Sequence, residues 1–270
     1  MNPSEFGFRH HHALERLVLF DLRLTCRSGL HIGAGKSADL AGSDLPVLRD
    51  GSGRPLIPGS SLRGVLRAGI ESLCLSLGID EAVQAQDPGE APAGMPEKLA
   101  KSWKGLTPSE RLFGCVAEKS GELSYGSRLQ ISDVTAEGEV AVELRDGVAI
   151  SRETRTANKQ SGAKFDLEVV PAGTRFLGHV RLKNPVDHEV GLIAQALWML
   201  DAGMLLLGGK SARGLGWVQV EVTTPRDLSA RALLARQRSE DAAGFGAVEE
   251  KLGKFLDSLS ELADSAAAAS

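Results

Sequence analysis

Apolar and polar residues alternate cleanly over residues 15–27, with Val18, Phe20, Leu22, Leu24 and Cys26 on one side and Asp21, Arg23, Thr25 and Arg27 on the other. A period of two over that length predicts a half-buried strand. The alternation returns over residues 174–183, where Phe176, Val180 and Leu182 point inward and Arg175, His179, Arg181 and Lys183 form the opposite, basic face. That face suits either RNA or plain solvation. Shorter strands are expected over 121–134, with Leu129 and Ile131 inward, and over 205–207 and 217–222. Helical spacing governs residues 60–77, through Leu62, Leu66, Gly69, Leu73 and Leu77, and residues 187–203, through Val190, Ile193, Leu197 and Leu200 with Asp187 as N-cap. A short helix is expected from Thr107 through Gly114. After Pro225 helical patterns take over, with Phe245, Val248, Leu252, Phe255, Leu259 and Leu262 at helical spacing.

The order strand, helix, strand, projection, strand, helix, strand predicts an α+β fold, a ferredoxin-like or RRM-like palm with inserted loops. One domain over residues 14–225 would carry it, followed by a C-terminal helical extension over 226–270. Within the domain, residues 78–106 hold Asp87-Pro88-Gly89 and read as a variable insertion. Residues 135–171 are polar and basic between apolar flanks (Val148, Ile150, Phe165, Leu167), which predicts a thumb-like, hairpin-like projection.

Composition narrows the picture. Hydrophobic residues make up 42% of the 270, enough for a substantial core. No run approaches a membrane span and the start lacks a signal-peptide pattern, so no membrane role and a cytoplasmic location are expected. Cys26, Cys74 and Cys115 are odd in number and far apart, which indicates neither a disulfide framework nor a zinc knuckle. The net charge of −4 argues against nucleic acid until its distribution is followed. The last 34 residues carry three basic and seven acidic side chains and account for all of it. In the neutral remainder, Arg54, Arg63 and Arg67 share an acid-free stretch, and residues 145–164 hold five basic residues (Arg145, Arg152, Arg155, Lys159, Lys164) against two acidic ones. Such local basic stripes are compatible with contacts to an RNA backbone.

Candidate chemistry concentrates in residues 29–67. Leu30-His31-Ile32-Gly33 leaves a strand for a glycine loop with Lys36, and Ser43-Asp44-Leu45-Pro46-Val47 anchors a loop from which Asp44 can point outward. Ile57-Pro58-Gly59-Ser60-Ser61-Leu62 then starts a helix on which Arg63 and Arg67 share a face. Amides at that start, with Ser60, Ser61 and both arginines, would seat a phosphate, or simply cap the helix. The second glycine loop, residues 208–216, places Lys210 and Arg213 among glycines; it reads as an RNA-phosphate loop or as a tight strand connection. Gly35-Lys36-Ser37 and Gly209-Lys210-Ser211 are not P-loops, because Leu30 and Met204 stand where the first glycine is needed.

Taken in order, Leu30-His31-Ile32-Gly33, Asp44-Leu45-Pro46-Val47, Ile57-Pro58-Gly59-Ser60-Ser61-Leu62, Arg111-Leu112-Phe113-Gly114 and the loop at 208–216 resemble the motifs of the RAMP (repeat-associated mysterious protein) superfamily. In particular they resemble those of the backbone subunits of type III CRISPR-Cas effector complexes, over roughly residues 17–222. The resemblance implies the palm and thumb architecture, binding of guide RNA and target RNA, a filament with copies of itself or related subunits, and association with other effector subunits. It also implies that Asp44 is the catalytic residue for target-RNA cleavage with a divalent metal, Mg2+ or Mn2+, which Asp44 would help to hold. His31, Lys36, Ser60, Ser61, Arg63, Arg67, Lys210 and Arg213, with Arg152, Arg155 and Lys159 on the projection, are the expected RNA contacts. An inactive backbone subunit and a metal-independent repeat-processing endoribonuclease are the alternatives within the superfamily.

Overall fold

The computed structural model describes residues 14–35, 43–80, 105–116, 125–148, 150, 152, 155–156, 164–235 and 244–269. Arg16–Cys26 (β1) is the central strand: Val18, Phe20, Leu22, Leu24 and Cys26 are all buried, as the alternation requires. Arg175–Lys183 (β7 in chain order) pairs with it antiparallel over nine residues, from Leu17 opposite Lys183 to Thr25 opposite Arg175. Between them in sequence come Leu56–Ile57 (β2), the helix Gly59–Leu77 (α1), the short helix Pro108–Phe113 (α2), Leu129–Ile131 (β3), Val134–Ala136 (β4), Glu143–Val148 (β5) and Lys164–Val169 (β6). After β7 follow the helix Asp187–Asp201 (α3), Val218–Val222 (β8), Arg226–Ser229 (β9), Ala230–Leu234 (α4) and Val248–Ala269 (α5).

The main sheet runs β2-β4-β7-β1-β8, with β3 also on β7 and β9 also on β1; all its pairings are antiparallel. Helices α1, α3 and α5 pack against one another and against one face of the sheet. Leu62, Leu66 and Ile70 of α1, Val190, Ile193 and Leu197 of α3 and Leu252 and Phe255 of α5 close a continuous core with the inward residues of β1 and β7. The opposite face is polar and laced with ion pairs: His179 Nδ1 to Asp21 at 2.7 Å, Arg23 to Glu221 at 3.1 Å and Arg175 to Glu137 at 3.4 Å. The architecture is α+β. No helix among the described residues is long and apolar enough to cross a membrane.

Several local features differ from the sequence expectation, each for a physical reason. Residues 226–229 form a strand, not a helix. β1 is longer than β8, and once β8 ends opposite Leu22 the N-terminal half of β1 still offers backbone groups, which β9 takes from Leu19–Arg226 to Arg16–Ser229. Pro225, with no N–H to give, falls in the break between the two. The C-terminal helix is part of the core, since Val248, Leu252 and Phe255 are at most 1% exposed. The stripe on α1 drifts from the expected Leu73 and Leu77 to Ile70 and Cys74, leaving Leu77 44% exposed. Residues 205–207 form no strand, although the Leu207 N–H still donates to the Gly216 carbonyl.

Two polar devices fix helix positions. Thr107 and Glu110 make a reciprocal capping box at the start of α2. At α3, Asp187 is the first helical residue, and the carboxylate of Glu189 accepts from the Val186 N–H at 3.1 Å and from Arg128 at 2.8 Å. Arg128 and Glu189 are 5% and 0% exposed, so this pair ties the entry of β3 to α3 inside the core. Cys26 and Cys74 are buried with free thiols, which burial pushes up to about 12.

Candidate functional site

The strand β6 organises the site. It pairs with β5 as a two-stranded antiparallel hairpin, with Asp146 opposite Asp166 and Gly147 opposite Phe165. Beyond Val148 the turn of this hairpin is described only at Ile150, Arg152 and residues 155–156; Arg152 and Arg155 are exposed there, and Lys159 lies outside the described residues. The far edge of β6 receives the segments carrying the sequence motifs. Leu45 bridges to Leu167 in parallel: the Leu45 N–H donates to the Asp166 carbonyl and the Glu168 N–H to the Leu45 carbonyl, each at 3.0 Å. Leu30 and Val170 exchange both backbone bonds, at 2.9 and 2.8 Å. Leu45, Leu167, Val169 and Leu215 form a small apolar cluster that holds these segments together.

Asp44 sits at this edge, exposed. Its Oδ2 accepts a hydrogen bond from the Asp166 N–H at 3.1 Å, and Ser43 Oγ donates to the Asp166 carbonyl at 3.0 Å. Leu45, Pro46 and Val47 therefore do not fix the loop alone, as the sequence suggests; the carboxylate itself takes part in docking. Across the hairpin, desolvation and a hydrogen bond with Asp146 raise the Asp166 carboxyl above its ordinary range, and the charges of Asp146 and Asp44 add to this. The charges of Asp146 and Asp44 thus both bear on the Asp166 carboxyl. Only the register of the hairpin puts Asp146 opposite Asp166, and only the docking of residues 43–45 on β6 brings Asp44 beside them.

His31 is 5% exposed. Its Nδ1 is 2.9 Å from the Glu168 carbonyl, and its own carbonyl accepts from the Gly209 N–H at 2.9 Å. His31 is thus a strut: its ring meets β6 and its backbone carbonyl meets the second glycine loop. Gly208 makes this approach possible: φ is +83°, and a Cβ there would lie 2.5 Å from the His31 carbonyl oxygen. Glu168 adds a further tie, accepting from the Val47 N–H at 3.0 Å and from Arg49 at 3.3 Å.

Beyond Gly209 the loop turns outward. Lys210 takes φ +62°, residues Ser211–Arg213 form a single 3-10 turn, and Lys210 and Arg213 are exposed. Both cations lie over the ring of Phe165, at 5.8 and 5.3 Å from its centre. Phe165 precedes Asp166 on β6, so Asp44 and the Lys210–Arg213 pair approach neighbouring residues of one strand.

The helix start behaves differently. No serine caps α1; Pro58 occupies the cap position and the Gly59 N–H donates to Asp133 Oδ1 at 2.9 Å, so a carboxylate of the chain already occupies that anion seat. Arg63 donates to the Phe113 carbonyl, and burial, with the charge of Arg67, pulls its guanidinium below the usual range. Arg67 pairs with Glu71 at 2.6 Å, and both arginines lie over the Phe113 ring. Ser60 is exposed and Ser61 half-buried. Thus Arg63, Arg67 and the Arg111–Gly114 motif meet as a packing cluster that ties α1 to α2, some way along the chain from the groups around β6. Lys36 lies outside the described residues.

Among the described residues no group of three or more His, Cys, Asp or Glu side chains is arranged to hold a metal ion. Asp44 offers hard carboxylate oxygens of the kind Mg2+ and Mn2+ prefer, but on its own only part of a coordination shell.

A family model described as the RAMP superfamily matches residues 23–219. The chain is 30% identical over 212 residues to the CRISPR system Cms endoribonuclease Csm3 of Enterococcus italicus, covering 71% of this chain and 84% of that protein. It is 26% identical over 212 residues to the protein of the same name from Streptococcus thermophilus, covering 76% and 87%. With that of Methanothermobacter thermautotrophicus it shares 50% identity over 50 residues; there the chain spans 20% of the relative's length.

Proposed function

The chain belongs to the RAMP superfamily, and from that premise we propose that it is a guide-RNA-binding backbone subunit of a type III CRISPR effector, cleaving guide-paired target RNA at Asp44. The observation that carries this reading is the convergence on β6 of Leu30–His31, Asp44–Val47 and the loop at Lys210–Arg213. An exposed carboxylate and two exposed cations, seated against neighbouring residues of one strand, suit a phosphodiester: the cations hold the backbone and the carboxylate meets the reacting atoms. The names of the relatives, endoribonucleases of a CRISPR system, support the same class of activity.

The main sheet then acts as a ferredoxin-like palm; the order β4-β7-β1-β8 with helices on one face supports that reading. The β5–β6 hairpin is the thumb, and Arg152 and Arg155 lie where it would meet the guide-target duplex. The Asp44 carboxylate, held in one orientation by the Asp166 N–H, serves either to hold a divalent ion or to orient the attacking 2′-hydroxyl and take its proton; attack closes a 2′,3′-cyclic phosphate and releases the 5′-oxygen, which takes a proton from water. A divalent ion held by Asp44, phosphate oxygens and water would neutralise charge developing on the phosphate. Base pairing supplies sequence specificity, and the protein reads backbone and shape. Its partners are guide RNA, target RNA, further copies or related subunits along the guide, and the other effector subunits.

The test is to purify the chain with its partner subunits and analyse the RNA it carries. A discrete small RNA with a constant end, and cutting of a matched target that stops with chelator, are expected. Absence of any bound RNA, or cutting of a precursor hairpin that persists in chelator, would overturn the assignment.

A further inference from the structure

Trp217 opens β8 from just outside it, and the fold holds it rigidly while leaving it in view. Its carbonyl accepts from the Arg27 and Ser28 N–H groups at 2.9 and 3.2 Å, and its own N–H donates to Ser28 Oγ at 3.1 Å. The indole Nε1 donates to the Asp201 carbonyl at 3.1 Å. One side of the ring is seated on Gly203, where φ is +73° and a Cβ would come within 3.2 Å of Nε1. A side chain at position 203 would therefore lift the indole off its seat. Even so, Trp217 is 47% exposed, and Leu206, its neighbour across the Leu207–Gly216 backbone bond, and Met204 are 37% and 62% exposed. An indole with its only polar group satisfied and half its surface open is pre-organised for a flat partner.

The charge around it selects that partner. Residues 202–217 contain no acidic side chain; the only charges are Lys210 and Arg213, both exposed on the same loop, and the exposed Arg27 lies opposite Trp217. Sites for single-stranded nucleic acid combine an aromatic platform for a base with cations that track its phosphates, and stacking tolerates any base because each presents a π-face. We propose that Trp217 is a stacking platform for an unpaired RNA base, at the end of the loop that carries Lys210 and Arg213. This rests on the RNA-binding reading above and adds to it a base contact independent of charge.

The experiment measures affinity of the assembled protein for a short oligoadenylate as a function of salt, with indole emission followed in parallel. Trp217→Leu should weaken binding on the order of ten-fold with an unchanged salt slope, whereas Trp217→Phe should retain most of the affinity. The Lys210→Ala, Arg213→Ala double variant should flatten the slope. In the folded wild type, RNA should quench the part of the emission that Trp217→Phe lacks. Binding by Trp217→Leu equal to wild type, or quenching equal in wild type and Trp217→Phe, would overturn the platform while leaving RNA binding intact. Normal oligonucleotide affinity with lost association between copies would overturn it in favour of a protein-docking surface. A wild type that binds no RNA would overturn both this proposal and the function it rests on.

Discussion

Two regions of this molecule carry the same kind of sequence signal, glycine and serine beside two basic residues, and fold it to opposite ends. At the start of α1 the signal is used internally: Asp133 takes the Gly59 amide, Phe113 takes Arg63 and Glu71 takes Arg67. At residues 208–216 the glycines bring the backbone down onto His31 and then turn Lys210 and Arg213 outward over Phe165. The difference lies in what surrounds each. The helix start packs against the end of β3 and against α2, where Gly59 is buried and Arg63 half-buried, so their donors find partners in the chain. The loop rests on Gly29 and His31 through its backbone and on Phe165 of β6 through its cations, and Lys210 and Arg213 stay exposed. The same sequence signal thus ends in packing contacts at one place and in exposed cations at the other.

The largest expected effect comes from the carboxylate beside the open region. Asp44→Asn should lower cleavage of captured target by roughly 10²–10⁴-fold while guide binding stays near wild type. Because Oδ2 also docks the loop on Asp166, Asn should do this with less structural damage than Ala. The readout is cut target per captured target, with Mg2+ or Mn2+ and with chelator; undiminished cutting by the Asn variant would remove Asp44 from the mechanism.

Next in size is the contrast between the two pairs of cations. Replacing Lys210 and Arg213 by Ala should reduce the slope of log affinity against log salt by about 1.4, at about 0.7 for each single-strand phosphate no longer neutralised, with little change in melting temperature. Arg63→Ala should do the reverse: a stability loss of about 1–2 kcal/mol from its hydrogen bond to Phe113, with a salt slope near wild type. Salt-dependent titration and thermal unfolding of both variants decide the matter. If the two behave alike, the distinction between a packed and an open region fails.

The smallest effect is in the pH dependence of stability. The Asp166 carboxyl is raised in the folded protein, so the fold binds its proton more tightly than the unfolded chain does. Its contribution is most favourable below the ordinary carboxylate pKa and is lost as pH rises through the raised value. Asp166→Asn should therefore gain stability relative to wild type as pH increases through that window, in low salt without divalent ions. A constant difference between the two across the acid range would show that the opposed carboxylates do not interact as the register implies.

Sequence alone determined the strands and helices that bury one clean face. The alternation of β1 and β7 and the spacing of α3 and α5 set those elements, because each must hide a continuous apolar row. It also carried the order of motifs that marks the superfamily. Local signals misled where a backbone partner lay far away in the chain. Residues 226–229 became a strand because the N-terminal half of β1 had an open edge, and no serine caps α1 because the helix starts at Gly59, whose N–H goes to Asp133, more than seventy positions on. The same holds for the site. The motifs placed Asp44, His31, Lys210 and Arg213 in loops, but their surroundings belong to β6, more than a hundred residues beyond the first two. Only the tertiary structure could bury His31 as a strut, oppose Asp146 to Asp166 and set Phe165 beneath two cations. Each of these depends on a strand register, and register is decided by which faces pack together, not by any residue's own preference.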